Sequence, residues 1–234
     1  MTEGADVLDI GGVKAGPGPE VTEAEELERV VPAVEALRAR FDSPLSVDTW
    51  RAAVAEAAFA AGAVVGNDIS GFADPDYLPV AARAGASVVA THLRLAPRVA
   101  DPDPVYADVV ADVASMLADR TAQAEAAGID HERIMVDAGL DLGKTEAQSL
   151  TLLRASDQLA GLGYPVLLSA SNKRFLSHLL ASLPGGAGAG AGTNATHAAH
   201  ALGITLGCRV LRAHDVRGAR RVADVLAAVL QAAA

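Results

Sequence analysis

Short apolar runs recur along the chain of 234 residues, and each of them ends in polar residues or glycine. Runs that are apolar throughout are typical of strands that a parallel sheet buries on both faces. The runs lie at Asp6–Gly12, Pro44–Thr49, Ala63–Ile69, Ser87–His92, Ile134–Gly139, Pro165–Ser171 and Cys208–Asp215. We therefore predict seven strands.

Alanine-rich amphipathic segments separate the runs and predict helices. They lie at Thr22–Arg40, Arg51–Ala61, Val105–Ala127, Glu146–Leu162 and Gly218–Ala233, and two more begin near Arg174 and Thr193. Thr22 before Glu23, Glu25 and Glu26 fits a helix N-cap and a first turn that favours negative charge. The stretch Gly185–Gly192, GGAGAGAG, reads as a flexible connection.

Strict alternation of strands and helices predicts a parallel α/β sheet, either doubly wound or closed into a (β/α) TIM barrel. Polar residues end nearly every strand, and only a barrel brings all strand C-termini to one mouth. We therefore predict a TIM barrel that forms a single domain over residues 1–234. A complete barrel has eight strands. Since the first run begins at Asp6, we expect the first strand and its helix to be missing.

Composition narrows the class of protein. The chain is 51% hydrophobic and 21% charged, which is typical of a folded domain. Apolar runs stay well short of the ~20 residues that cross a bilayer, and no signal peptide opens the chain. The net charge of −10 argues against a nucleic-acid surface, and a single cysteine, Cys208, fits a reducing cytoplasm.

Polar side chains near the strand ends carry the candidate chemistry. The acid and amide side chains are Asp9, Asp48, Asn67 and Asp137, and the cationic ones are Lys173, Arg212 and His214. A carboxylate can accept two parallel N–H donors from an amino-pyrimidine ring, and an asparagine offers a donor and an acceptor. The cationic side chains could meet phosphate or a ring carbonyl, and the helix after Val216 would add its N-terminal dipole. We expect all seven side chains at one barrel mouth.

Capping of the next helix is an open alternative for each strand-end aspartate, and Asp48 before Thr49 could do only that. Asp68 is assigned to loop structure, His92 to a structural role and Lys144 to a loop or helix start.

Seven motifs, taken in order, resemble dihydropteroate synthase. The family pattern runs, in order, D-I-G-G, S-V-D-T, N-D-V-S-G, H-M, D-P-G-I-G-F-G-K, G-x-S-R-K-x-F and R-V-H-D-V. The corresponding segments of this chain are Asp9–Gly12, Ser46–Thr49, Asn67–Gly71, His92, Asp137–Lys144, Ser169–Phe175 and Arg212–Val216. The matches span nearly the whole chain. The segments GGVKAGPG at Gly11–Gly18 and SNK at Ser171–Lys173 resemble those of a divergent actinobacterial second copy of the synthase.

The resemblance implies a reaction and its participants. Dihydropteroate synthases condense 6-hydroxymethyl-7,8-dihydropterin pyrophosphate with 4-aminobenzoate in folate biosynthesis and release pyrophosphate. By resemblance Asp48, Asn67, Asp137 and Lys173 would bind the pterin, with Asp9 below them, and Arg212 and His214 would hold the pyrophosphate. Lys173 and Arg212 would be the catalytic residues, Mg²⁺ the cofactor, and the protein a homodimer.

Departures from the family pattern leave two alternatives open. The Ser, Thr and Arg of the family's second loop are absent at Gly12–Gly18. The family's S-R-K is here Ser-Asn-Lys at Ser171–Lys173, and Arg174 replaces the small residue that follows the lysine. The motif N-V-T-P-D-S-F, whose asparagine is the family's metal contact, is absent, so no metal ligand is predicted in the chain. The alternatives are a catalytically impaired paralogue that binds a pterin or pyrophosphate ligand, and a pterin-dependent methyltransferase. Retention of Lys173, Arg212 and His214 favours a pyrophosphate substrate over methyl transfer.

Overall fold

A computed structural model describes residues 3–186, 188 and 190–232, and within them strands and helices alternate as predicted. The strands are β1 Leu8–Gly11, β2 Leu45–Asp48, β3 Val65–Asp68, β4 Ser87–Thr91, β5 Ile134–Asp137, β6 Val166–Leu168 and β7 Cys208–Leu211. The helices are α1 Glu23–Arg38, α2 Ala52–Ala60, α3 Tyr77–Ala84, α4 Val109–Ala126, α5 Glu146–Arg154, α6 Ser156–Ala160, α7 Arg174–Ser182, α8 Ala191–Thr205 and α9 Val216–Gln231. A short 3-10 turn, His131–Arg133, precedes β5. Each predicted strand is therefore present in the described chain.

The contacts divide the chain into two compact units. The N-terminal unit comprises Asp6–Pro102 and Ser115–Asp137, and the C-terminal unit comprises Met1–Ala5, Asp103–Ala114 and Ala138–Ala234. In the N-terminal unit, β1 to β5 pair in chain order and every pair is parallel. In the C-terminal unit, β6 and β7 form a parallel pair with a register shift between Val166 and Leu167. A single domain over residues 1–234 stays a prediction.

The core of the N-terminal unit lies where α1 and α2 pack on β1 and β2. Its buried members are Val30, Val34, Leu45, Val47, Val54, Ala58 and Ala63. Burial of each Val or Leu side chain contributes about 1.5–3 kcal/mol. The apolar residues of α1, which recur at helical spacing, thus pack against side chains of the strands. Those strand side chains are buried, as the apolar runs predict.

Helix α1 begins at a capping box, as its sequence predicts. The Thr22 side chain accepts a hydrogen bond from Glu25 N at 3.2 Å, and the Glu25 carboxylate accepts one from Thr22 N at 2.8 Å. These two bonds satisfy donors that the helix itself leaves unpaired.

Several helices differ from the sequence prediction. Helix α4 begins at Val109 rather than Val105, because Asp108 Oδ1 accepts from Val110 N and Ala111 N and starts the helix there. The predicted helix Glu146–Leu162 is two helices, since Ala155 leaves helical geometry at φ −97° and ψ 21°. Helix α3 was not predicted, because Pro75 and Pro79 around its start indicate a turn.

The predicted flexible connection Gly185–Gly192 includes Ala187 and Ala189, which lie outside the described residues. Helix α8 begins within that stretch, at Ala191, two residues before its predicted start. In the described part of the chain, no helix combines the length and apolar character that crossing a membrane requires.

Candidate functional site

Four of the predicted side chains, here called the acid–amide set, lie on strands of the N-terminal unit. Asp48 and Asp137 are the last residues of β2 and β5, Asn67 is the penultimate residue of β3, and Asp9 lies within β1. Asp48 and Asn67 are register partners on neighbouring strands. The parallel pairing thus brings the carboxyl ends of these strands to the same edge.

One hydrogen bond and the burial of two side chains define the environment of the acid–amide set. Asn67 Nδ2 donates to Asp9 Oδ2 at 3.3 Å, which links β3 to β1 across β2. Asn67 and Asp137 are buried, with 6% and 7% of their surface exposed, whereas Asp9 is exposed. Carboxylate and amide groups held at one strand edge can accept and donate hydrogen bonds along the edge of a flat heterocycle.

The helix that follows Asp48 is capped by a distant aspartate. Asp74 Oδ2 accepts from Ala52 N, at the N-terminus of α2, at 2.9 Å. Thr49 Oγ1 accepts from Arg51 N at 3.3 Å. Asp74 thus supplies one cap of α2, and the capping alternative for Asp48 stays a prediction.

Asp68 holds the loop after β3, as the sequence predicts. Its fully buried carboxylate accepts from Ser70 N at 2.7 Å and from Phe72 N at 3.0 Å. These bonds shape a turn in which Gly71 and Phe72 both have φ 65°. Burial raises the pKa of Asp68 from 3.8 to about 6, and repulsion from Asp74 adds to the shift.

The raised pKa of Asp68 predicts a pH-dependent stability. Below pH 3.8 both the folded and the unfolded chain hold the proton. As pH rises towards about 6 the unfolded chain ionises first, so this residue's contribution to stability is lost across that window. Denaturant unfolding should show the wild type losing stability relative to Asp68→Asn over this window. A difference between the two proteins that does not change with pH would contradict the assignment.

The remaining three predicted side chains, the cationic set, lie in the C-terminal unit. Lys173 is the N-cap residue of α7, Arg212 follows β7 directly, and His214 lies in the loop before α9. Lys173 Nζ donates to Leu140 O at 3.0 Å, and Arg212 N donates to Leu168 O at 3.0 Å. The structure thus brings the predicted residues together as two sets, one in each unit.

Ser171 orients the imidazole of His214. The Ser171 hydroxyl accepts from His214 N at 3.2 Å and lies 2.9 Å from His214 Nδ1. In the neutral tautomer in which the hydroxyl donates to Nδ1, the ring proton lies on Nε2. His214 can therefore present an N–H donor to an anion.

A cavity of about 290 Å³ lies beside His214 in the C-terminal unit. Its lining residues are Ser171, Asn172, Thr193, Thr196, His214 and Asp215. Thr196 Oγ1 accepts from Asn172 N at 3.3 Å and so fixes the residue that precedes Lys173. Sequence reasoning missed Thr193 and Thr196, because their positions at the start of α8 carry no strand-end signal.

The N-terminus of α9 already has an internal acidic cap. Asp215 Oδ1 accepts from Gly218 N at 3.0 Å, and Asp215 Oδ2 lies 3.1 Å from His197 Nε2. A Cβ at Gly218 would lie 2.2 Å from the Asp215 carboxylate, so glycine is required for this approach. We expected a bound anion to use the N–H groups at the start of α9, and one of them, Gly218 N–H, therefore already donates to Asp215.

The loop between β5 and α5 is held by its own lysine, as predicted. Lys144 Nζ donates to Gly139 O at 2.9 Å and to Leu142 O at 3.0 Å. Tyr106 donates its hydroxyl to Gly143 O at 2.7 Å. This loop is therefore fixed by side-chain donors.

The described residues contain no group of three or more His, Cys, Asp or Glu side chains that could hold a metal ion. Mg²⁺ in proteins is usually bound by one or two carboxylates together with substrate phosphates.

Comparison with known proteins identifies the family. Residues 1–214 match the family of pterin-binding enzymes. The chain belongs to that family. The resemblance read from the motifs is thereby confirmed.

Proteins similar to this chain include dihydropteroate synthases and an inactive paralogue. The chain is 41% identical to the inactive dihydropteroate synthase 2 of Mycobacterium leprae, over 98% of this chain and 79% of that protein. It is 38% identical to the dihydropteroate synthase of Bacillus subtilis, over 98% of this chain and 77% of that protein.

Solved structures give the fold class. The dihydropteroate synthase of Xanthomonas albilineans with 4-aminobenzoic acid matches 99% of this chain and 82% of that chain, at 38% identity and a TM-score of 0.90. The same enzyme in complex with 7,8-dihydropteroate matches with a TM-score of 0.86. The predicted α/β fold of the TIM-barrel type is confirmed, and the pterin-binding chain is a transferase of the dihydropteroate synthase type.

Proposed function

We propose that this chain condenses 6-hydroxymethyl-7,8-dihydropterin pyrophosphate with 4-aminobenzoate to form dihydropteroate, in folate biosynthesis. The observation that carries the proposal is similarity to dihydropteroate synthases along 98% of the chain. Retention of both the acid–amide set and the cationic set supports it. The solved relative with bound 7,8-dihydropteroate shows that this family fold accommodates the product.

In this proposal the acid–amide set recognises the pterin ring. Asp137 accepts from the amino-pyrimidine edge, and Asn67 supplies both a donor and an acceptor. Asp48 is the register partner of Asn67 and adds a second carboxylate. Asp9 holds Asn67 Nδ2 in position, since the two side chains lie 3.3 Å apart.

The cationic set recognises the pyrophosphate and a ring oxygen. Arg212 and the His214 Nε2–H bind the pyrophosphate, and Lys173 contacts the pterin. The bond between the pterin methylene carbon and the pyrophosphate oxygen breaks, and the pyrophosphate leaves with the electron pair. The arylamine nitrogen then bonds to that carbon and releases a proton. The positive charge of Arg212 stabilises the negative charge that develops on the leaving group.

We also propose that Mg²⁺ accompanies the pyrophosphate as a ligand of its oxygens. The support for this is the preference of Mg²⁺ for substrate phosphates. Calorimetric titration with and without Mg²⁺ tests it, because a metal held by the pyrophosphate should strengthen binding of the pyrophosphate ester.

A second candidate function is pterin or pyrophosphate binding without condensation. The likeness to a protein named inactive dihydropteroate synthase 2, at 41% identity, favours it. The altered segments Gly12–Gly18 and Ser171–Arg174 favour it too, since both depart from the family motifs while the acid–amide set is retained.

We propose that the protein is a cytoplasmic homodimer. Exposed apolar side chains on α8 and α9 support self-association, and they are Leu202, Val225, Val229 and Leu230. The sequence has a single cysteine, Cys208, so no disulfide can form within the chain, which fits a reducing compartment. The proposal has no role for nucleic acid or a membrane as partner. Light scattering at micromolar concentration tests the dimer.

Calorimetry with the pterin pyrophosphate tests both candidate functions at once. The wild-type chain should bind one equivalent per chain and should bind uridine diphosphate much more weakly. Uridine diphosphate shares the two phosphates and lacks the amino-pyrimidine edge, so it measures the contribution of the phosphates alone. Equal affinity for the two compounds would rule out pterin recognition.

A further inference from the structure

Helix α7 carries Lys173 at its start, and its first backbone donors are satisfied from another loop. The N-cap residue, Lys173, has no side-chain capping bond of its own. The Asp141 carboxylate accepts instead from Arg174 N and, at 3.3 Å, from Phe175 N. A helix leaves its first four N–H groups without internal partners, so this carboxylate acts as the cap of α7.

The same loop also holds the ammonium group of Lys173. Lys173 Nζ donates to Leu140 O at 3.0 Å, and Leu140 directly precedes Asp141. The backbone that follows Lys173 and the tip of its side chain are thus both anchored at residues 140 and 141. A shift of Asp141 would therefore move both ends of the lysine.

Asp141 is itself fixed in an unusual backbone conformation. Its φ is 64°, in the left-handed region that favours glycine and tolerates Asp and Asn. Asp141 N donates to Ser149 Oγ of α5 at 3.2 Å, which ties the residue to a helix. In the dihydropteroate synthase motif D-P-G-I-G-F-G-K, glycine stands at this position. The chain therefore departs from the motif at Asp141, and the carboxylate introduced there caps α7.

We propose that Asp141 is a positioning residue for Lys173, which it holds by capping α7. This inference rests on the proposed function only in its claim that Lys173 contacts the substrate. The anchoring of Lys173 by Asp141 is a property of the protein without substrate. The two parts can therefore be tested separately.

Chemical labelling tests the anchoring without any substrate. The chain has three lysines, Lys14, Lys144 and Lys173, so acetylation at each can be followed by peptide mass spectrometry. Asp141→Gly keeps the φ of 64° free of strain and removes the cap. Loss of a helix cap should raise the acetylation rate of Lys173 about fivefold. Asp141→Asn keeps a capping oxygen and should stay within about twofold of the wild type.

Two internal references sharpen the labelling experiment. Lys14, which is exposed and lies in the other unit, should label at the same rate in all proteins. Thr22→Ala removes a helix cap from α1 in the other unit and controls for a general loss of stability. Unchanged labelling of Lys173 in Asp141→Gly, or an equal rise in Thr22→Ala, would overturn the anchoring role.

Affinity for the pterin pyrophosphate tests the consequence for binding. Asp141→Gly should weaken binding about fivefold and Asp141→Asn should restore it, while Lys173→Ala weakens binding further. If Lys173→Ala weakens binding and Asp141→Gly does not, the positioning role is refuted although the proposed function stands. If the wild type does not bind the ligand, the proposed function fails and the labelling result alone decides whether Asp141 anchors Lys173.

Discussion

Replacing Asp137 with alanine should cost about 2–3 kcal/mol of pterin affinity, roughly a 30- to 150-fold loss, because a charge-assisted contact disappears. Asp137 ends β5 and is buried, with 7% of its surface exposed, so water replaces the lost contact poorly. Affinity for inorganic pyrophosphate should change much less, because the cationic set lies on other elements. Calorimetry with 6-hydroxymethyl-7,8-dihydropterin and with pyrophosphate, measured separately, gives both values.

Two further variants make the Asp137 result specific. Asp137→Asn keeps the side-chain volume and removes the charge, so it should retain part of the affinity. Asp119→Ala removes an exposed aspartate of α4 in the same unit and should leave both affinities unchanged. An equal loss for pterin and pyrophosphate in Asp137→Ala would show that Asp137 does not read the pterin.

Replacing Arg51 with alanine should destabilise the folded protein by about 3–5 kcal/mol, because it leaves a buried carboxylate without its charge partner. Glu26 of α1 is fully buried, and Arg51 donates a hydrogen bond to its Oε2. Arg51 also donates to Val21 O at 2.7 Å, so the residue joins the start of α1 to the start of α2. Denaturant unfolding of the wild type and the variant measures the difference.

An exposed ion pair in the same unit provides the matched control. Arg83 and Glu56 lie 3.2 Å apart, and each side chain is 64% exposed. Arg83→Ala should cost less than about 1 kcal/mol, because exposed pairs contribute little. The double variant Glu26→Ala with Arg51→Ala should be more stable than the sum of the two single losses predicts. An Arg51→Ala variant that is as stable as Arg83→Ala would contradict the account of this pair.

The strands and the two sets of polar residues could be predicted from local sequence. Buried parallel strands are apolar throughout, so a polar residue such as Asp137 after an apolar run marks the strand end. Asp68 could be assigned to a loop because it precedes Ser70 and Gly71. These signals involve residues close together in the chain.

Interactions between distant residues could not be read in this way. Asp74 caps α2 at Ala52 from 22 residues away, and the sequence instead offered Asp48 as a candidate cap. Asp141 caps α7 from 33 residues away and lies in a segment that reads as a turn. Helix α3 escaped prediction because Pro79 lies in its first turn, where proline is tolerated although it resembles a helix breaker.

Turnover by the purified chain tests the central claim most directly. The chain is incubated with dihydropterin pyrophosphate, 4-aminobenzoate and Mg²⁺, and dihydropteroate is quantified by mass spectrometry beside the Lys173→Ala variant. The account predicts dihydropteroate in amounts equal to the pyrophosphate released, and a large loss of product in Lys173→Ala. A wild-type chain that binds the pterin pyrophosphate and forms no dihydropteroate would contradict synthase activity and identify a binding paralogue.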